Sequence, residues 1–283
     1  MSRRRTKRDI ERRLRELDRL DRLHGLGATN ASGPRRTRDW RGLLALAIAL
    51  VLAAGMVVAV PALVPTWLRA AVGLGPHRLA AAVRPTTSRS YVFMAHQKGD
   101  RTSPVAWDPC RPVRFVVNPA GGPSDAVDLA QQAVARVSQL SGLVFEYAGE
   151  SSSRPRWDSP IMPIFNSLHR PVLISWAAPD EVPQLAGNVA GIGGSVPIGV
   201  GDGRLRYGTG GATLDAGTFA QLEAQPGGKL EERAIVLHEL GHVLGLAHVS
   251  DPAELMNADN LGLLDFGPGD RAGLARLGKG SCF

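Results

Sequence analysis

HELGHVLGLAH, residues 238–248, sets three imidazoles, one carboxylate and two glycines at fixed offsets. The spacing predicts a helix over 230–244 with His238 and His242 four residues apart on one face, so that both rings reach a single ion at about 2.0–2.1 Å. Glu239 lies one residue on, and its carboxylate projects beside such an ion rather than onto it. That is the position of a general base that takes a proton from an activated water and passes it to a leaving amine. Gly245 ends the helix where a residue without Cβ adopts positive φ cheaply, and the turn returns His248 to the same ion. Three histidines leave the fourth tetrahedral position open, as in a catalytic rather than a structural zinc site. A bare H-E-x-x-H arises by chance on amphipathic helices, where the histidines are merely packed. Gly245 and His248 at their offsets, and Met256 eight residues further on in DPAELMN, are not accounted for in that way.

With these residues the chain resembles the metzincin metallopeptidases, and among them the matrixins, whose long zinc motif is followed by a turn carrying methionine beneath the metal. The resemblance implies one Zn2+ held by His238, His242 and His248, Glu239 as general base, Met256 as the Met-turn residue and Gly245 as the turn glycine. Asp270, in GDRAGLARLG, is similar to the aspartate of the matrixin C-terminal helix that bonds to the Met-turn; a plain N-cap carboxylate is an equal reading. The implied fold is α+β, a zincin-like catalytic domain with a mixed sheet, an active-site helix, a Met-turn and a C-terminal helix. The likeness runs over roughly 107–283 by element order and is specific over about 230–278. Departures are plain as well. No histidine lies between His169 and His238, so the second, structural zinc site of vertebrate matrixins is not expected, and Val249 stands where those enzymes usually carry serine. Calcium is possible through Asp202 and Asp215, although a solvated loop accounts for both.

Charge is distributed unevenly. The first 41 residues hold 14 Lys/Arg against 6 Asp/Glu, a net +8; the overall +7 leaves −1 for the other 242, so nucleic-acid binding by the C-terminal part has no electrostatic footprint. Gly42 to Val60, GLLALAIALVLAAGMVVAV, carries no charge, and none appears between Arg41 and Arg69. Nineteen helical residues span about 28 Å, close to a hydrocarbon core of about 30 Å, so one transmembrane helix is expected over 42–64. A cleaved signal peptide has a similar flank but a shorter apolar run and a shorter leader. The arginine-rich side should remain cytoplasmic, which leaves the C-terminal domain outside. Cys110 and Cys282 both fall on that outer side, where an oxidising compartment allows them to pair. The rival, a thiolate switch on the zinc as in matrixin proenzymes, lacks its PRCG pattern in WDPCRPV.

The expected organisation is a basic cytoplasmic tail over 1–41, the membrane helix over 42–64, a juxtamembrane linker over 65–90 and the zinc domain over 91–283. Within the tail, Ile10, Leu14, Leu17, Leu20 and Leu23 recur at helical spacing over 7–24; such a helix could lie on anionic lipid, pair with a partner, or remain a solvated tail. His77 and His96 read as exposed side chains near the linker. In the outer domain we expect a strand at 113–117, a helix from Ser124 as N-cap to Leu140, and strands at 143–147, 172–176 and 212–214. Ten glycines in the 25 residues 187–211 predict short edge strands joined by mobile loops, either a plain surface or an edge that pairs with an extended peptide.

The sequence thus favours a membrane-anchored zinc endopeptidase acting on protein or peptide outside the cytoplasm; any cytoplasmic partner is unreadable. No Ser/His/Asp or Cys/His nucleophile pattern competes, and GIGGSVPIGVGDG lacks the Lys-Ser/Thr ending of a phosphate loop. The other class of reading is a catalytically silent, membrane-tethered scaffold that keeps the fold. Intact Glu239 argues against it.

Overall fold

Alternating apolar residues in Val113–Asn118 and an unbroken apolar run in Val172–Ala177 build the centre of a five-stranded sheet. The computed structural model describes residues 3–24, 44, 46–49, 51, 77–157, 170–199, 203–259 and 262–282. It divides into two compact units, Met1–Leu74 and Gly75–Phe283.

In the first unit α1 spans Arg3–His24 and leaves Ile10, Leu14, Leu17, Leu20 and Leu23 exposed. Most of the expected span 42–64 lies outside the described residues. Among the described residues no helix is long and apolar enough to cross a membrane.

The second unit contains β1 (Val92–Phe93), β2 (His96–Gln97), β3 (Asp100–Pro104), β4 (Val113–Asn118), α2 (Ala126–Ser141), β5 (Phe145–Glu150), β6 (Val172–Ala177), β7 (Gly191–Gly199) and β8 (Leu205–Asp215). It continues with α3 (Ala216–Glu223), α4 (Gly228–Leu244), β9 (Leu246–Ala247) and α5 (Pro268–Leu277). The main sheet has the order β5-β4-β6-β8-β7, parallel except for β7, which runs antiparallel to β8 along one edge. α2 covers β4 and β5, α4 covers β7 and β8, and the two helices pack on each other, so both lie on one face. Ala130, Ala133 and Val137 of α2 meet Leu237, Leu240 and Leu244 of α4 and the sheet residues Val117, Ile174 and Leu214 in one buried core. The domain is therefore a mixed α/β fold, and its active-site candidate sits on a helix clamped between sheet, α2 and the C-terminal segment.

Several local expectations shift. Ser124 does not cap α2; Asp125 holds the N-cap position with no side-chain cap bond, because its carboxylate takes Lys229 Nζ at 2.7 Å, while Ser124 Oγ turns to Glu223. β5 begins two residues later than the apolar residues Leu143 and Val144 suggest; Leu143 is buried ahead of it under Ser138. Asp215, the possible calcium donor, is occupied as the N-cap of α3, where its Oδ1 accepts Thr218 N and Oγ1 at 2.7 Å each. Asp202 lies outside the described residues.

The larger difference is the glycine-rich stretch. It forms the two longest strands of the sheet, of 9 and 11 residues, rather than short strands and loops. Its glycines answer to close approach: a Cβ on Gly193 would collide with the Glu239 carbonyl oxygen, and one on Gly210 with the backbone of Gly194. β7 is nonetheless the edge strand that the reading required.

Residues 78–90, expected to act as spacer, run along the domain. Leu79 N donates to Pro109 O at 3.1 Å, Arg78 Nη1 to Gly278 O at 2.8 Å and Thr86 Oγ1 to Pro268 O at 2.7 Å. Cys110 and Cys282 are joined as a disulfide across a separation of 172 residues, which pins the C-terminus beside the entry to β4. Closing a loop of that length stabilises by up to about 5 kcal/mol on the chain-entropy estimate.

Candidate metal centre

α4 carries the first half of the motif. Gly227 at φ 84° opens it and Gly245 at φ 116° closes it, in the left-handed region that glycine alone enters without cost. The Gly245 N–H donates back to the carbonyls of Gly241 and His242, and the Tyr207 ring lies where a Cβ would be, 2.8 Å from it. The chain then enters β9, which pairs with β1 in the register Val92 to Ala247 and Phe93 to Leu246, and delivers His248. The strand that follows the strap 78–90 is thus a direct support of the third histidine.

The three rings converge. His248 Nε2 lies 3.0 Å from His238 Nε2 and 3.0 Å from His242 Nε2. His238 Nδ1 donates to Leu255 O at 2.7 Å and His242 Nδ1 to Leu246 O at 2.8 Å, so the proton of each neutral ring is held on Nδ1. Burial brings both imidazoles down to about 4, which keeps them neutral near pH 7. His248 is more exposed, and burial lowers it too. The Nε2 lone pairs of His238 and His242 are therefore both turned towards His248 Nε2, where a cation would satisfy all three nitrogens. Nitrogen ligands about 2.1 Å from a tetrahedral zinc stand roughly 3.4 Å apart. The donor set and its tautomers fit that ion, and the group could hold a metal.

Glu239 sits between the helix and β7 and is 6% exposed. Burial pushes its carboxyl up to about 8, and its Oε2 has no hydrogen-bond partner among the described residues. A cleft of about 640 Å³ opens beside it, lined by the three histidines, Gly191 and Ile192 of β7, and Met94.

Met256 is 1% exposed and packs against α4 at Gly241, where a Cβ would stand 2.5 Å from its Sδ. That glycine, within the motif and between the two helical histidines, is what admits the methionine. Asp270 is fully buried; it is not the N-cap of α5, a position held by Gly267, but stands at the third helical residue, from which it reaches back to the N-cap N–H and across to the turn. Its Oδ2 accepts Gly267 N at 3.1 Å at the start of α5, and Leu255 N at 2.6 Å and Met256 N at 3.4 Å in the turn. Burial, with Glu254 nearby, raises its carboxyl to about 6.

The structure thus brings together His238, His242, His248, Glu239, Met256, Gly245 and Asp270, while Cys110 and Cys282 stand apart as the staple. Three contributors were not singled out in the sequence: Met94, the β7 glycines 191 and 193, and Glu254.

No protein-family model matches the chain, nor does any curated protein sequence. Among solved structures it is similar to a chain of the GM1-bound form of the ECX AB5 holotoxin, at 14% identity over 70% of this chain and 93% of that one, with a TM-score of 0.40. It is also similar to metalloproteinase-II from Bacteroides fragilis, at 15% identity over 71% of this chain and 56% of that one, with a TM-score of 0.32. With TM-scores below 0.5, neither likeness assigns a family.

Proposed function

We propose that the chain is a matrixin-like zinc endopeptidase, anchored by one membrane helix over 42–64, that hydrolyses peptide bonds outside the cytoplasm. The observation that carries this reading is the convergence of three Nε2 atoms, with two Nδ1 protons held on carbonyls, beside a buried carboxylate in an open cleft. A zinc ion bound there would supply Lewis acidity and make a water acidic enough to attack near neutral pH. His238, His242 and His248 would hold the ion. The positive charge of an ion held by the histidines would offset the burial that raises Glu239 and keep its carboxylate ionised, so that Glu239 takes the proton of the attacking water and returns it to the leaving amine nitrogen. β7 offers main-chain groups along the cleft with which an extended substrate pairs, and glycine at 191 and 193 lets substrate and base lie close.

The test is cleavage of casein by the full chain, with Glu239→Ala as control and zinc content measured in both. Activity in the wild type, at least about 10²-fold reduced in the variant with zinc retained, is the expected outcome. Equal inactivity of both proteins with zinc bound refutes it.

A further inference from the structure

Glu254 lies in the turn before Met256, yet its side chain serves neither the cleft nor solvent. It is 2% exposed. Its Oε1 accepts Gly269 N at 2.7 Å and its Oε2 accepts Asp270 N at 2.9 Å, two of the N–H groups left free at the start of α5. Gly267 and Gly269 make the room: a Cβ on Gly269 would stand 2.7 Å from Glu254 Oε1, and one on Gly267 would overlap the same carboxylate. Asp270 reaches the opposite way, from α5 to the N–H groups of Leu255 and Met256. Turn and helix are therefore joined by two carboxylates: Glu254 of the turn binds the backbone of the helix start, and Asp270 of the helix binds the backbone of the turn.

One peptide in that clasp also touches the candidate metal ligand. The Leu255–Met256 unit gives its N–H to Asp270 Oδ2, and the carbonyl of the same unit, Leu255 O, accepts Nδ1–H of His238. We infer that Glu254 is a positioning residue for the metal ligand His238: by fixing the start of α5 it fixes Asp270, and through the Leu255–Met256 peptide it sets the tautomer and direction of the imidazole. Loss of its carboxylate leaves two buried N–H groups unpaired and lets Asp270 swing off the turn. The groups behind a ligating histidine govern metal affinity by about 10–100-fold. Because the inference concerns a ligand, it rests on the zinc reading of the site.

The experiment uses the full chain as wild type, Glu254→Ala and Glu254→Gln. Zinc affinity is measured by competition with a chromophoric chelator, and the visible d–d spectrum is recorded after Co2+ is substituted. We expect Glu254→Ala to bind zinc about 10–100-fold more weakly and to shift the cobalt spectrum. Glu254→Gln, which keeps one oxygen for either N–H, falls between it and the wild type. A residue that serves stability alone would lower the melting temperature and leave the spectrum of the folded protein unchanged. Should the alanine variant not fold, the glutamine variant carries the comparison. Folded variants with wild-type zinc affinity and spectrum overturn the inference and leave the metal reading standing; a wild-type chain that takes up no zinc overturns both.

Discussion

Replacing Gly191 by alanine tests whether the glycines of β7 exist to bring the strand against the base. A Cβ at 191 would stand 2.8 Å from Glu239 Cγ, 2.9 Å from its Oε1 and 3.0 Å from its Cδ, where ordinary contacts lie at 3.4–4 Å. The smallest relief is the difference, 3.4 − 2.8 = 0.6 Å, taken either by the carboxylate or by β7. Overpacking of this kind costs about 1–3 kcal/mol, and in a domain of this size each kcal/mol lowers the melting temperature by about 2–4 °C. A displacement approaching 1 Å at a catalytic group costs about 10²-fold in rate. Gly191→Ala should therefore fold, melt roughly 2–12 °C lower, keep its zinc, and lose about 10–100-fold in kcat on a fluorogenic peptide, because the three Nε2 atoms are untouched. Gly199→Ala, whose Cβ would meet nothing within 4 Å, is the control in the same strand. If Gly191→Ala turns over substrate as fast as the wild type, or if the control loses as much, the glycines do not serve the base and the reasoning fails.

Two further outcomes follow from the surroundings of the histidines. Deleting residues 1–94 rather than 1–76 removes the β1–β9 pairing, the burial of Phe93 and the bond from Ser90 Oγ to Asp251 Oδ2 at 2.7 Å; the shorter protein should lose several kcal/mol and bind zinc more weakly, whereas equal melting temperatures and zinc affinities would show that the strap is dispensable. In the zinc-free protein, His238 and His242 are held near 4 against about 6.5 when unfolded, so the unfolded chain takes up protons first; stability is fully present above about pH 6.5 and falls as the pH drops towards 4, by on the order of 3 kcal/mol for each residue. Urea unfolding of chelator-treated protein at stepped pH reads this directly, and a profile that stays flat through that window, or is unchanged in His242→Ala, contradicts it.

What could be read from the sequence was local. The His238–His242 offset, the helix that carries it and the left-handed Gly245 are set by 3.6-residue periodicity and by the φ preference of one glycine, and each stands where those rules put it; the reading of Met256 came from the matrixin resemblance. Asp270 was half legible, since a carboxylate at a helix start is a local statement, whereas its bonds to Leu255 and Met256 span 15 and 14 residues. Glu254 was not legible at all. A buried glutamate whose carboxylate binds backbone N–H groups 15 and 16 residues away has no pattern in its own vicinity.

The glycines of 187–211 mark the boundary most clearly. A glycine does two different things, admitting positive φ and admitting a close neighbour, and a sequence does not say which. Gly187 and Gly203 take the first role, at φ 87° and 80°. Gly191, Gly193 and Gly210 take the second, and the neighbours they admit belong to α4 or to the partner strand, fixed only once β7 lies on β8. Glycine density alone predicts short edge strands joined by mobile loops where the sheet has its two longest strands. The same density, with Glu239 buried behind the edge strand, points to a strand kept bare so that this carboxylate and its helix can lie against it.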